Sequence, residues 1–185
     1  MNLSDRLHYH DIIYFWFEEC TPKQWWQKSL EFDCLIASRF GVILQAAIEG
    51  KLAYWRSEAE GRLAEIIVLD QFSRNIYRDR PQAFSQDPLA LNLAREAVQI
   101  GADKAVSEPK RVFFYLPYMH SESLQIHQEA LPLFQSLTES SYLEYEYKHM
   151  SIIEKFDRYP HRNDILDRES TELEKHFLSQ PGSSF

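Results

Sequence analysis

Apolar residues along this chain recur three and four positions apart, the spacing of helices that pack one stripe against a core. No sustained alternation of apolar and polar residues is bounded by turn signals, so no strands are predicted. Ser4 or Asp5 opens a first helix running into "IIYFWF" at 12–17, and a loop with Pro22 and the pair Trp25–Trp26 follows. The next segment sets Leu35, Ile36, Phe40, Ile43, Leu44, Ala47 and Ile48 on one face and closes at Gly50. A third helix covers about 62–75. Asp87 then offers a capping acceptor with Pro88 at the first helical position, opening a helix that ends at Gly101. Pro109 opens another, which Pro117 should bend or end. Ser121 or Ser123 caps the next, with Pro132 expected to kink or interrupt it. Ser141 with Glu144 and Thr171 with Glu174 fit capping boxes for the last two helices, and Pro160 forces the chain out of helix between them. Gly61, like Gly50 and Gly101, reads as a helix end. The expectation is an all-α fold of about eight helices, one domain over residues 1–180 with a frayed tail at 181–185.

Three stripes turn polar without leaving their face. Leu63, Ile67, Asp70 and Arg74 form the first; Phe113, Leu116, Pro117 and His120 the second; Tyr145, His149, Ile152 or Ile153, and Phe156 the third. A buried polar group costs a few kcal/mol unless it is paired, so these side chains should meet partners. Asp70-x-Phe72-x-Arg74 is matched by Glu154-x-Phe156-x-Arg158, an acid and an arginine one helical turn apart around an aromatic. His161, Arg162 and Asn163 follow the second copy, and His120 with Glu122 flanks a helix start where backbone donors favour anions. The plainer reading makes each acid–arginine pair a structural staple and each histidine a satisfied core residue. His8, His10, His127 and His176 have no supporting partners in the pattern and read as ordinary. Trp25, Trp26 and Trp55 read as core anchors.

Composition narrows the chemistry. With 28 acidic against 20 basic side chains the formal charge is −8, which opposes nucleic-acid binding. No apolar run approaches the ~20 residues of a membrane-spanning helix, and the N-terminus lacks the basic start and apolar run of a secretory signal. Two cysteines are too few for a disulfide framework and fit reduced thiols in a cytoplasmic protein. His120, Glu122, His149 and His161 lack the tight spacing of a metal site, and Ser121 lacks a nucleophile turn, so no metal, cofactor or serine chemistry is expected.

The segments "FWF" at 15–17, "LDQFSRNIYR" at 69–78, "AFSQDPLAL" at 83–91, "FFYLPYMHSE" at 113–122 and "FDRYPHRND" at 156–164 together resemble a mainly bacterial family, domain of unknown function 924. The resemblance spans nearly the whole chain and implies a tetratricopeptide-like helical array. It implies no established activity, cofactor or partner. Asp157 and Asp167 stand where that family tends to have glycine, and Pro132 interrupts a helix expected to be unbroken.

The residues thus lead to a polar pocket for a small anionic ligand, walled by Asp70, Arg74, His120, Glu122, His149, Arg158, His161, Arg162 and Asn163. Arginines would grip a carboxylate or phosphate, with His120 or His149 available as a general base. The alternative is a protein-interaction module gripping a peptide, with the ionic residues as staples.

Overall fold

The computed structural model describes residues 8–183; the expected helix start at Ser4 or Asp5 lies outside the described residues. Among those residues the secondary structure is all helical, in nine rods joined by turns and short 3-10 segments, with no strand. α1 (Tyr9–Tyr14) widens into a π-helical turn at Phe15–Glu19, α2 is Pro22–Trp26 and α3 is Leu30–Ile48. α4 (Ala59–Ile67) passes without a break through a π-helical turn at Val68–Phe72 into α5 (Ser73–Ile76). α6 (Asp87–Gln99), α7 (Glu108–Met119), α8 (Leu124–Gln135), α9 (Ser140–Phe156) and α10 (Glu172–Leu178) complete the order.

The α4–α5 rod is the axis. Leu63, Ala64, Ile66, Ile67, Val68, Leu69 and Phe72 are sealed from solvent, and so is Glu65 on the same turns. A helix apolar around its whole circumference belongs inside a protein, and α1, α3, α6 and α7 pack around this one. Aromatic rings fill the space beside it. Phe40 lies 5.1 Å from Phe72 and 4.7 Å from Phe15, and Trp16 meets Phe72 at 5.5 Å and Phe113 at 5.8 Å, centroid to centroid. Stacked, tilted and edge-to-face pairs of this kind add to the burial of large apolar surfaces.

A second, smaller cluster of Ile152, Ile153 and Tyr159 packs with Leu124, Phe156 and Phe177 and seats the last third of the chain. α9 ends because Asp157 adopts a left-handed conformation, φ 57°. Asp167 does the same at φ 53°. These are the two positions where the resembling family was expected to carry glycine, and positive φ is the reason: only glycine adopts it freely, with aspartate among the better-tolerated substitutes.

Several local expectations are corrected. Trp25 and Trp26 lie in α2 rather than in a loop, and Trp26 is half exposed, stacked on Phe113 instead of serving as a core anchor. Leu35 faces solvent. Pro117 and Pro132 are carried inside α7 and α8, each removing one backbone donor near the C-terminal end without ending the helix, which runs on to Met119 and Gln135. The Ser141–Glu144 box is replaced by Glu139, whose carboxylate accepts from the Ser141 amide at 3.2 Å. The Thr171–Glu174 box is present as expected. Gly61 ends nothing: it sits inside α4, where an added Cβ would fall 2.0 Å from the Trp55 carbonyl oxygen. That contact is to backbone, so no rotamer relieves it. Gly61→Ala should therefore lower stability by about 3 kcal/mol, read from urea unfolding, with an unchanged melting curve as the contrary result.

Candidate functional site

The π-helical turn at Val68–Phe72 answers why the central helix turns polar. Such turns insert a residue into the helical register and re-aim the side chains around them. Here the turn carries Asp70, whose side chain is 2% exposed, into the middle of the molecule. Its Oδ1 is met by His120 Nδ1 at 2.7 Å and Arg74 Nη1 at 3.2 Å, and its Oδ2 accepts from Gln71 Nε2 at 2.5 Å. Burial opposes ionisation of this carboxyl, but Arg74 and His120 outweigh it and hold its pKa well below the usual range.

An ionised carboxylate can only accept hydrogen bonds, which fixes the tautomer of His120. Nδ1 carries the proton and Nε2 is left as a lone pair. No partner meets Nε2 among the described residues, and the ring keeps 17% exposure. Burial first, then the Arg74 charge, lower the His120 pKa against the opposing pull of Asp70, so the imidazole is neutral at pH 7.

Arg74 extends the centre. Its Nη1 and Nη2 donate to Oδ1 and Oδ2 of Asp87 at 2.8 and 3.0 Å, and Nη1 also reaches the Asp70 carbonyl at 3.1 Å. Arg162 joins from the far end of the chain, with Nη1 3.3 Å from Asp87 Oδ2 and Nη2 donating to the His120 carbonyl at 3.0 Å. Both guanidiniums lie over the Phe84 ring, at 5.7 and 4.6 Å, and Arg162 also rests on Tyr159 at 4.7 Å. Two stretches about ninety residues apart in sequence, around Arg74 and around Arg162, thus share one polar centre. Two surface clefts lie elsewhere, around Arg39 and Glu19 and around Arg95 and Glu129.

The remaining expected residues divide. His149 and His161 both lean on Tyr159, with ring centroids 5.8 and 5.6 Å away, at the rear of this centre. His149 Nδ1 donates to the Tyr145 carbonyl at 2.8 Å. Glu122 is a clasp: it holds Arg168 at 2.7 and 3.0 Å and accepts from the Tyr159 amide at 2.8 Å. Asn163 is sealed in the same clasp, between Ser170 and Arg168. Arg158 stands apart, paired with Glu174 at 2.6 and 2.8 Å. The expected Glu154–Arg158 pair does not form, since Asp157 turns the chain out of helix first and leaves Glu154 exposed.

Sequence reasoning missed Asp87 and His127. Asp87 looks like a capping residue and makes no cap hydrogen bond; its carboxylate serves the two arginines. His127, expected to be ordinary, is fully buried, with Nδ1 2.6 Å from the equally buried Glu146 and Nε2 2.9 Å from the Ser121 carbonyl. The i,i+3 spacing that reveals a stripe carries no sign of a partner nineteen residues away. Among the described residues, no three His, Cys, Asp or Glu side chains gather closely enough to hold a metal ion. No helix there is long and apolar enough to cross a membrane.

The family model for "Bacterial protein of unknown function (DUF924)" matches residues 12–182. The chain belongs to this family. A solved structure of a protein of unknown function from Agrobacterium tumefaciens is similar, with a TM-score of 0.88 at 42% sequence identity over 92% of this chain and 96% of that one. No curated protein matches.

For this family member the buried histidines set a pH dependence. Burial pushes His149 down to about 3 and, with Arg162 adding to it, His161 down to about 4; His120 is lowered too. An unfolded histidine titrates near ~6.5. As pH falls below that value, the unfolded chain takes up protons that the native histidines refuse, and stability is lost. Asp70 acts lower: its stabilisation is present above the unfolded carboxyl value of ~3.9 and is lost only as pH falls below it. Unfolding free energies from urea titrations should drop by roughly 3 kcal/mol per pH unit between about pH 5.5 and 4.5. A flat profile there would contradict neutral, buried imidazoles.

Proposed function

We propose that this protein binds a small anionic ligand at the Asp70–His120–Arg74 centre, with His120 Nε2 as the acceptor of a ligand proton. The observation that carries the reading is the imidazole itself: one nitrogen fixed by an ionised carboxylate, the other a partly accessible lone pair. That arrangement is how a general base is oriented, whatever fold it stands on. Beside it, Arg74 keeps 19% exposure, and its Nε meets no acceptor among the described residues. Arg162 Nε is likewise unpartnered and sealed. The two aspartates balance the two arginines, so an incoming anion meets oriented donors rather than a large net positive field.

Melting temperatures in acetate and in inorganic phosphate, against sodium chloride at equal ionic strength, test the reading. An anion at ten times its Kd adds about 1.4 kcal/mol, a rise of roughly 3–6 °C for a chain of this size. Arg74→Lys retains a cation against Asp70 and Asp87 but lacks the planar fork, and should abolish the rise. The proposal falls if neither anion stabilises beyond chloride, or if Arg74→Lys responds like the unmutated protein.

A further inference from the structure

We infer that His127 is a buried imidazolium, paired with the Glu146 carboxylate in a proton-dependent latch that joins α8 and α9 to the end of α7 and weakens as the solution turns alkaline. The inference stands apart from the anion-binding reading. Both side chains are sealed from solvent, His127 on α8 and Glu146 on α9. The ring makes two short contacts: Nδ1 lies 2.6 Å from Glu146 Oε1, and Nε2 lies 2.9 Å from the Ser121 carbonyl oxygen. Each contact needs one proton. A carbonyl has none to give, so Nε2 carries one, and a second must lie between Nδ1 and Oε1, where two lone pairs would repel. A neutral histidine beside an ionised glutamate holds only one proton for both contacts. The pair therefore holds one more, and because imidazole is the more basic partner by about two pH units, that proton rests on the ring. Tyr159 does not supply it: its hydroxyl donates to the Met119 carbonyl at 2.5 Å and turns its oxygen to His127 Nε2 at 3.1 Å. His149, three residues beyond Glu146 on the same helix, is held neutral by burial above all, down to about 3, and adds no second charge beside the ring. Arg162 lies over the Tyr159 ring at 4.7 Å and is occupied with Asp87 and the His120 carbonyl. Glu146 Oε2 has no hydrogen-bond partner among the described residues, which leaves the imidazolium to compensate this carboxylate there.

An unfolded histidine releases its proton near ~6.5. Above that value the native pair keeps a proton that the unfolded chain has lost, so the latch contributes fully below pH ~6.5 and its contribution is lost progressively as pH rises. Glu146→Gln removes the requirement: its amide donates to Nδ1, and a neutral ring with its proton on Nε2 then satisfies both contacts. Between about pH 7.5 and 8.5, folding equilibrium constants from urea unfolding should fall about tenfold further in the unmutated protein than in Glu146→Gln. The comparison cancels the Cys20 thiol, which burial pushes up to about 12 and which both proteins share. Nitrogen NMR of the unmutated protein needs no variant to fold: at about pH 8 the His127 ring should carry a proton on each nitrogen. Equal falls in the two proteins, or a His127 ring bearing a single proton at that pH, overturn the inference.

Discussion

An ionised carboxylate at the centre of a buried helix is the constraint around which this fold is arranged. Asp70 stands on a rod whose middle is covered on all sides, and its charge cannot be left unpaired there without a penalty of several kcal/mol. The chain meets that demand from two segments: Gln71 and Arg74 from the same rod, and His120 from the end of α7. Arg74 then requires Asp87, Asp87 draws in Arg162, and Arg162 ties the C-terminal segment to the His120 carbonyl. Neutralising one buried charge has fixed the placement of α6, α7 and the 160–162 turn together.

The same chain of partners separates chemistry from stapling. Arg158–Glu174 and Arg168–Glu122 close on themselves: each guanidinium meets its carboxylate in a two-pronged pair, and that pair serves to dock the last helix and the loop before it. The Asp70 centre does not close. Among the described residues it leaves a lone pair on His120 and donors on Arg74 and Arg162 without partners, and several open groups gathered on one centre are what the proposed binding rests on. The buried His127–Glu146 pair lies on the satisfied side of that division through its ring, since both nitrogens have acceptors.

Helices were legible in the sequence because their signal is local. Stripe spacing, the Thr171–Glu174 box and the proline starts act within four residues, and all three appear in the structure. The stripe through Asp70 and Arg74 was legible for the same reason. What failed depended on distant partners or backbone geometry. Asp87 reads as a cap because its arginines come from elsewhere in the chain, and His127 reads as ordinary because Glu146 is on another helix. The Glu154–Arg158 pair was inferred from spacing alone and fails on a single left-handed residue, Asp157, between its members. The π-helical turn that re-aims Asp70 has no pattern of its own in the amino-acid sequence.

The central claim is the protonation state of one ring, and nitrogen NMR of histidine-labelled protein at pH 7 reads it directly. His120 should show a proton-bearing Nδ1 and a bare Nε2, with no second proton appearing on the ring until the solution is made acidic. A proton found on Nε2 at pH 7, whether as the other tautomer or as an imidazolium, would contradict the account: the lone pair on which the proposed binding rests would not exist.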